Sequence, residues 1–402
     1  RKEYQDRALD ALRAYFQQCE QTDADTAFYQ CTRQNFGQGI AYHPVPEMEG
    51  LPYVCLRIPT GGGKTLVACH AVDVARRGLI HADHAIVLWL VPSNAILEQT
   101  YKALQDRTHP YRQALQSTVG ETNVMNVGDA LYLTQATLDG GTTIIVSTMQ
   151  AFRVEDTTGR RVYQSAGALK HHFDNATDSQ LARMERGAEG ELVYSLANVL
   201  RLRRPIVIVD EAHGARTNLS FETLARFNPS CILEFTATPH REDNPSNVLH
   251  SVSAAELKAE AMIKLPIRLE ARADWKELLG EALATRKGLE ELAKEEEQET
   301  GEYLRPIMLL QAQPQSQVRE TLTVDVVKRC MMDDHHIPEN QIAIATGEQN
   351  EIEGIDILAR DCEIRYVITV QALREGWDCP YAYVLCTVAE MRATIAVEQI
   401  LG

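Results

Sequence analysis

The chain has 402 residues, of which 45% are hydrophobic and 24% are charged, a composition typical of globular proteins and long enough for two hydrophobic cores. No apolar stretch reaches about 18 residues, so we expect neither a membrane-spanning helix nor a membrane partner. The formal net charge of −16 argues against a bulk electrostatic attraction to nucleic acid. Any such binding would depend on local basic groups and on backbone N–H groups.

Two further features concern the cellular context. The chain has 9 cysteines, and no two of them have Cys-x-x-Cys spacing. We therefore expect no zinc site, reduced thiols and a cytoplasmic location. The first residue is Arg1, without a Met or a signal-peptide pattern, so we expect a portion of a longer protein.

The first predicted element is an amphipathic helix over Glu3–Gln18. Near its start, the Gln5 amide is able to donate to and accept from an adenine edge at once, and the Tyr4 ring is able to stack on a base. Spacing alone favours a capped surface helix over this role. Thr32–Pro52 is rich in Gly, Pro and polar residues and predicts a loop.

The segment Tyr53–Thr65, YVCLRIPTGGGKT, predicts a strand, a glycine loop and the start of a helix that continues over Leu66–Arg77. Such an order suits a phosphate-binding loop, in which glycines leave backbone N–H groups open to phosphate oxygens. The general pattern has a glycine five residues before Gly63, where this chain has Ile58. We interpret the segment as a variant phosphate loop. The side chain of Lys64 would reach the β- and γ-phosphates, and the Thr65 hydroxyl would bind Mg²⁺.

Two continuous apolar runs, Ala85–Val91 and Thr142–Ser147, are typical of buried parallel strands. They are followed by Ser93 and Thr148. These hydroxyls are placed either to hold the phosphates of a bound strand or simply to start helices, and the sequence does not separate the two interpretations.

Arg153–Leu200 is polar and predicts an insertion with one or two helices. An apolar strand then ends in Asp-Glu-Ala-His, which places Asp210 and Glu211 where parallel α/β sheets bind ligands. Asp210 would hold Mg²⁺, Glu211 would deprotonate the attacking water, and His213 completes the catalytic set.

Cys231–Pro239 predicts a further strand, which ends in Thr236-Ala237-Thr238. Hydroxyls at this point would link the γ-phosphate site to a second lobe.

The second half of the chain changes character. Leu265–Glu270 predicts an edge strand, and the highly charged Trp275–Thr300 predicts a solvated helix between lobes. From Arg305, strands alternate with helices, which predicts a second parallel sheet. The predicted elements are strands at Pro306–Gln311, Gln341–Thr346, Tyr366–Val370 and Tyr383–Val388, and helices at Val318–Met332 and Ile352–Arg360. The loop Gln371–Pro380 contains Gly376 and Asp378, which are placed to face a nucleotide.

Together these motifs resemble the motor of superfamily 2 helicases and translocases, and most of all the DEAH-type restriction subunit of type III restriction–modification systems. The resemblance extends from Tyr4 to Gly402. Its specific segments are TGGGKT at Thr60–Thr65, VPSNAILEQT at Val91–Thr100, VIVDEAH at Val207–His213, FTATP at Phe235–Pro239 and ALREGWDCP at Ala372–Pro380.

The resemblance implies an α/β fold of two RecA-like parallel-sheet lobes, with ATP and Mg²⁺ between them and DNA as the partner. The implied domains are an N-terminal helix and loop (1–50), lobe 1 (51–250), a charged linker (251–304) and lobe 2 (305–402). It also implies a partner methyltransferase subunit that reads the target sequence. The implied roles are adenine recognition by Gln5, phosphate binding by Thr60, Gly61, Gly62 and Gly63, nucleotide contact by Gly376 and Asp378, coupling by Thr236 and Thr238, and nucleic-acid contact by Ser93 and Thr148.

The chain departs from this pattern at its end. The last motif of the family has a glutamine, then Gly-Arg and a further arginine, whereas Gln399 is followed only as far as Gly402. Loss of such an arginine costs about 10³–10⁵ in rate in related phosphoryl-transfer enzymes, so we expect poor hydrolysis from the chain as it stands. The nuclease domain of the family would lie beyond Gly402.

Three functions therefore remain open from the sequence. The first is an ATP-dependent DNA translocase, which we prefer. The second is a nucleotide-gated scaffold that binds nucleic acid without stepping, and the third is an RNA helicase.

Overall fold

The computed structural model describes residues 1–152, 161–211, 216–260, 262, 268, 270–315, 321–347, 349–370 and 379–388. The chain divides into two compact units, residues 1–265 and 266–401. Within the described ranges, no helix combines the length and the apolar character needed to span a membrane.

The first unit is built on a parallel sheet of seven strands in the order β3-β4-β2-β5-β6-β1-β7. The strands are β1 (Tyr53–Arg57), β2 (Ile86–Val91), β3 (Thr122–Asn126), β4 (Thr142–Thr148), β5 (Ile206–Asp210), β6 (Cys231–Thr236) and β7 (Val248–Ser251). Because all seven run the same way, their carboxyl ends share one edge, where ligands of such sheets bind.

The two faces of this sheet are covered by separate hydrophobic clusters. In β5, Ile206 and Ile208 join the first cluster, whereas Val207 and Val209 join the second. This alternation follows from the two-residue period of a strand, and burial on both faces explains why the strand is continuously apolar.

Twelve described helices belong to the first unit. They are α1 (Glu3–Cys19), α2 (Ala24–Phe36), α3 (Lys64–Gly78), α4 (Asn94–Gln105), α5 (Pro110–Val119), α6 (Val127–Ala130), α7 (Gln135–Asp139), α8 (Met149–Phe152), α9 (Asp178–Leu181), α10 (Leu196–Arg203), α11 (Asn218–Arg226) and α12 (Ala254–Ala259). Short 3₁₀ helices lie at Arg161–Tyr163 and Gly167–Phe173. Helices α1, α3 and α5 pack on the first face, and α10 and α11 pack on the second.

The second unit has a parallel sheet of four described strands in the order β11-β8-β10-β9. Its elements are β8 (Ile307–Gln311), β9 (Ile342–Ile344), β10 (Tyr366–Thr369), β11 (Ala382–Thr387), α13 (Trp275–Thr300), α14 (Val324–Asp333) and a 3₁₀ helix at Glu339–Gln341. The expectation of an α/β fold with two parallel sheets is confirmed.

The charged helix α13 is not a solvated linker, so that expectation is wrong. Leu279 and Leu283 are buried in the core of the second unit, beside Met308 and Leu310 of β8. The many glutamates obscure this face in the sequence. The buried residues of α13 are Leu279, Leu283, Arg286 and Ala293, which recur at helical spacing.

The helix predicted over Ile352–Arg360 is also wrong, since this segment forms only turns. Gly354 lies inside this segment with a φ of 76°, a left-handed conformation that interrupts an α-helix. The buried guanidinium of Arg305 holds the turns that follow, since it donates to the carbonyl oxygens of Ile357, Ala359 and Cys362.

Other differences concern element boundaries. Helix α2 continues through Thr32 to Phe36 and ends at Gly37, whose φ of 75° suits a left-handed cap, so the predicted loop starts later. Helix α14 starts at Val324 rather than Val318. Strands β3 and β7 were not predicted, because both are short and partly polar. Most of the edge strand predicted at Leu265–Glu270 lies outside the described residues.

Candidate functional site

The glycine loop joins the carboxyl end of β1 to the start of α3. Gly61 and Gly63 have φ values of 76° and 73°, a left-handed conformation that other residues adopt only at a cost. Gly63 is the N-cap of α3 and offers no side-chain acceptor to the first turn. The N–H groups of that turn therefore point out of the helix without a capping side chain, which suits an anion.

The space around the loop also requires glycine. A Cβ atom on Gly62 would lie 2.6 Å from the Ile58 side chain and 3.0 Å from the Pro59 carbonyl oxygen, and one on Gly63 would lie 2.8 Å from the Gln5 amide nitrogen. Ile58, which replaces the expected first glycine, is fully buried against the loop. In this variant of the glycine pattern, the loop therefore packs against Ile58, the residue that follows β1.

The start of α1 braces this loop. Gln5 is 2% exposed, its Nε2 donates to the Gly62 carbonyl oxygen at 3.2 Å, and its Oε1 accepts from the Lys2 N–H at 3.0 Å. Tyr4 is fully buried and its hydroxyl donates to the same Gly62 oxygen at 2.9 Å. The Tyr4 ring is therefore not available to stack on a base, and that interpretation is wrong. Gln5 reaches the loop itself.

Asp210 ends β5 and lies against the start of α3. Its Oδ2 accepts a hydrogen bond from the Thr65 hydroxyl at 3.2 Å, and the residue is 6% exposed. Burial, and then the negative charge of Glu211, raises the pKa of the Asp210 carboxyl to about 6, while Lys64 and Thr65 act in the opposite direction. A nearby cation would stabilise the ionised form of such a buried carboxylate.

The lysine of the glycine loop contacts the second acidic residue. Lys64 Nζ lies 2.7 Å from Glu211 Oε1, and the two side chains are 9% and 24% exposed. Lys64, Thr65, Asp210 and Glu211 thus share one pocket at the carboxyl edge of the sheet, although they come from sequence positions almost 150 residues apart.

Glu211 is held from β6 as well. Its Oε2 accepts from the Thr236 hydroxyl at 3.2 Å, and its N–H donates to the Phe235 carbonyl oxygen at 2.9 Å. The Thr236 hydroxyl in turn accepts from the Thr238 N–H at 3.2 Å. Glu211 has a φ of 55°, which is uncommon for a residue with a side chain and persists where neighbours hold it.

The residues present fit a magnesium-bound triphosphate. A hydroxyl and a carboxylate oxygen lie side by side, as a hard cation that keeps several waters requires. Next to them are an ammonium group and the N-terminus of a helix. Thr65 and Asp210 would hold the cation together with phosphate oxygens. Within the described residues, no group of three or more His, Cys, Asp or Glu side chains is arranged to hold a metal ion.

The next residues are the two hydroxyl residues predicted to contact nucleic acid, Ser93 and Thr148. Ser93 is the N-cap of α4, and its hydroxyl accepts from the Ile96 N–H at 3.4 Å, which is the helix-starting alternative. Thr148 ends β4 and is 4% exposed. His213, Gly376 and Asp378 lie outside the described residues.

Sequence reasoning missed Arg57 as a link between motifs. This last residue of β1 donates to the Ala237 carbonyl oxygen at 3.2 Å and to the Ser251 hydroxyl at 3.3 Å. It also missed Glu234, a fully buried carboxylate of β6. The available signal was a charged residue inside an otherwise apolar strand, which rarely occurs without a partner.

The family described as "Type III restriction enzyme, res subunit" matches residues 1–241. No curated protein matches the chain.

Similar solved structures include S. cerevisiae Dbp5 bound to RNA and ADP BeF3, with 12% identity and a TM-score of 0.40 over 88% of this chain and 75% of that one. A DEAD box protein from the hyperthermophile Methanococcus jannaschii has 14% identity and a TM-score of 0.33 over 92% and 84%. The DUF1998 helicase MrfA bound to DNA and AMPPNP has 13% identity and a TM-score of 0.41 over 87% of this chain but only 44% of that chain.

The chain spans less than half of the MrfA chain. The family match covers more than half of the chain and includes the glycine loop, the two acidic residues and Thr236-Ala237-Thr238. The chain therefore belongs to the family of the type III restriction enzyme res subunit.

Proposed function

We propose that this protein is an ATP-driven translocase or helicase motor that acts on DNA. The observation that carries the proposal is the single pocket in which Lys64 contacts Glu211 and Thr65 contacts Asp210, at the edge where parallel sheets bind ligands. Family membership supports a nucleotide-binding helicase, and the restriction-enzyme relationship favours DNA.

In this mechanism Lys64 has two alternative partners. Without nucleotide its ammonium neutralises Glu211 at 2.7 Å. The β- and γ-phosphates carry more negative charge than one carboxylate, so we expect the Lys64 ammonium to leave Glu211 and bind phosphate oxygens. In this arrangement Glu211 Oε1 accepts a proton from water as the water oxygen attacks the γ-phosphorus and the bond to the β–γ bridging oxygen breaks.

Asp210 and Thr65 would hold Mg²⁺, which when bound neutralises charge on the phosphate oxygens. When the Thr65 hydroxyl no longer donates to Asp210, the Thr65 hydroxyl oxygen and Asp210 Oδ2 would both be available to bind the cation. Thr236 keeps the other Glu211 oxygen in place, so the carboxylate does not rotate when Lys64 leaves.

We assign the coupling of ATP hydrolysis to movement to Thr236 and Thr238. Thr236 contacts Glu211, and the Thr238 N–H donates to the Thr236 hydroxyl. Gly376 and Asp378 are proposed to contact the nucleotide, by resemblance to the family. Ser93 and Thr148 are proposed to contact the backbone of the bound strand. A methyltransferase subunit is the proposed partner, by resemblance to the family.

The test uses the protein at its full natural length and compares wild type with Glu211→Gln. The control is Glu222→Gln, which changes an exposed glutamate on α11. ATP affinity and phosphate release are measured without nucleic acid, with duplex DNA and with RNA. We expect Glu211→Gln to bind ATP within about threefold of wild type and to lose about 10²-fold or more in turnover, and DNA to stimulate the wild-type protein more than RNA.

Each outcome has a distinct meaning. Normal turnover in Glu211→Gln removes Glu211 from its role. ATP binding without stimulation by either nucleic acid contradicts the motor and supports a nucleotide-gated scaffold, whereas stimulation by RNA alone supports an RNA helicase.

A further inference from the structure

The first described residue after the acidic motif is Arg216, and its guanidinium is buried at 4% side-chain exposure. Nη1 donates to Glu234 Oε2 at 2.9 Å, Nε donates to the Asn244 carbonyl oxygen at 2.7 Å, and Nη2 donates to the Pro245 carbonyl oxygen at 2.8 Å. Each nitrogen of the guanidinium therefore has a partner, and the partners come from two different segments.

The same guanidinium lies over an aromatic ring of the strand that leads to the glycine loop. Its central carbon is 4.7 Å from the centroid of the Tyr53 ring, at the start of β1, and 5.9 Å from that of Phe221 on α11. Arg216 thus contacts three parts of the chain. These are β1, which precedes the glycine loop, α11, which follows the acidic motif, and the turn after Thr236-Ala237-Thr238.

Glu234 extends this contact towards the site. It lies on β6 two residues before Thr236, so the two side chains leave the same face of the strand. Its second oxygen accepts from the Ser246 hydroxyl at 2.7 Å, and Ser246 also accepts from the His240 N–H at 3.0 Å. The turn over 240–246 is therefore fixed to the strand that carries Thr236.

Stability alone does not account for such a pair. Replacing a buried ion pair by apolar residues of similar size is often neutral or stabilising. A positioning role fits better, because the left-handed backbone conformation of Glu211 persists only where neighbouring segments hold it. Phe235 holds its N–H from one side, and Arg216 fixes the chain five residues later.

We propose that Arg216 is a positioning residue for ATP hydrolysis, which acts through Glu234 to hold Glu211 and Thr236 in register; the inference rests on the proposed ATPase function. Arg216 touches neither nucleotide nor water in this role. Its loss would leave the glycine loop able to bind ATP, while Glu211 would sample orientations that do not activate water.

The experiment uses the double variant Arg216→Met/Glu234→Met, which removes both charges and leaves no unpaired ion in the core. The carbonyl groups of Asn244 and Pro245 belong to half-exposed residues, so water is able to replace the lost donors. We expect a thermal midpoint close to that of wild type, an ATP dissociation constant within about threefold, and a kcat lower by about 10- to 50-fold. Arg216→Lys, which keeps the charge but loses the fork, should recover part of this loss.

Arg112→Met is the matched control, since Arg112 is also a buried arginine and donates to the carbonyl oxygens of Leu104 and Thr122 away from the site. It should lower stability and leave kcat within about twofold. A double variant with wild-type kcat overturns the proposal. If the double variant does not fold, Arg216→Lys decides, because unchanged kcat in that variant has the same meaning. A wild-type protein without ATP turnover would instead contradict the proposed function itself.

Discussion

Lys64 of the glycine loop and Glu211 of the acidic motif form an ion pair of 2.7 Å, although each is assigned a different partner during ATP hydrolysis. In the proposed mechanism, Lys64 moves to phosphate oxygens before Glu211 accepts a proton. Nucleotide binding and separation of this ion pair would then be one event.

The first prediction concerns Lys64→Ala. We expect ATP binding to weaken by about 10- to 100-fold, since a charge-assisted hydrogen bond contributes about 1.5–3 kcal/mol. Calorimetric titration with ATP and Mg²⁺ measures the change. Lys102→Ala is the control, because the Lys102 side chain is 78% exposed on α4. Unchanged affinity in Lys64→Ala would show that the lysine does not reach the phosphates.

The second prediction concerns Thr236, whose hydroxyl holds Glu211 Oε2. Thr236→Val keeps the shape and removes the hydrogen bond, so we expect kcat to fall about 5- to 10-fold with little change in ATP affinity. Thr236→Ser should retain activity. Thr223→Val, which removes a buried hydroxyl bonded to the Leu219 carbonyl oxygen, should leave kcat unchanged. Equal kcat in the valine and serine variants at Thr236 would count against the contact.

The third prediction separates two roles for Gln5. If the amide only braces the loop through Gly62, Gln5→Ala weakens ATP and GTP binding equally. The proposed adenine recognition predicts a larger loss for ATP, about 5- to 20-fold, with the preference over GTP reduced. Gln17→Ala, at an exposed position of the same helix, serves as the control. An unaltered ratio of ATP to GTP affinity would leave Gln5 with the bracing role alone.

The fourth prediction is a pH dependence caused by Asp210. Because burial raises the pKa of this carboxyl from 3.8 to about 6, the folded protein holds the proton more tightly than the unfolded chain. The resulting stabilisation is complete below about pH 4 and is lost as the pH rises through about 6.

Without nucleotide and Mg²⁺, Asp210→Asn should therefore gain stability relative to wild type between pH 4 and pH 6, by about 3 kcal/mol for a shift of about two units. Above pH 7 the difference should be constant. Urea unfolding at several pH values measures it. Parallel stability curves for the two proteins would mean that the carboxyl ionises without a penalty.

The catalytic motifs follow from sequence because their chemistry demands local patterns. Glycines before Lys64 and an apolar strand before Asp210 satisfy local steric and burial rules that a reader of the sequence is able to apply. For the same reason the sequence predicts both parallel sheets, since strands buried on both faces must be apolar throughout.

The sequence does not reveal contacts that depend on residues distant along the chain. The path of 352–360 depends on the left-handed conformation of Gly354 and on the Arg305 guanidinium, which donates to carbonyl oxygens of the turns that follow. Whether Tyr4 faces a base or the Gly62 oxygen depends on how α1 packs against α3. These outcomes are set by competition for hydrogen bonds and by packing between segments.

Residues close together in the chain encode the family, the α/β class and the phosphate and acidic motifs. Folding is needed to reveal that Lys64 pairs with Glu211, that Thr236 holds the same carboxylate, and that Arg216 reaches Glu234. Their shared physical reason is sheet order: β1, β5 and β6 are separated in the chain but adjacent in the sheet.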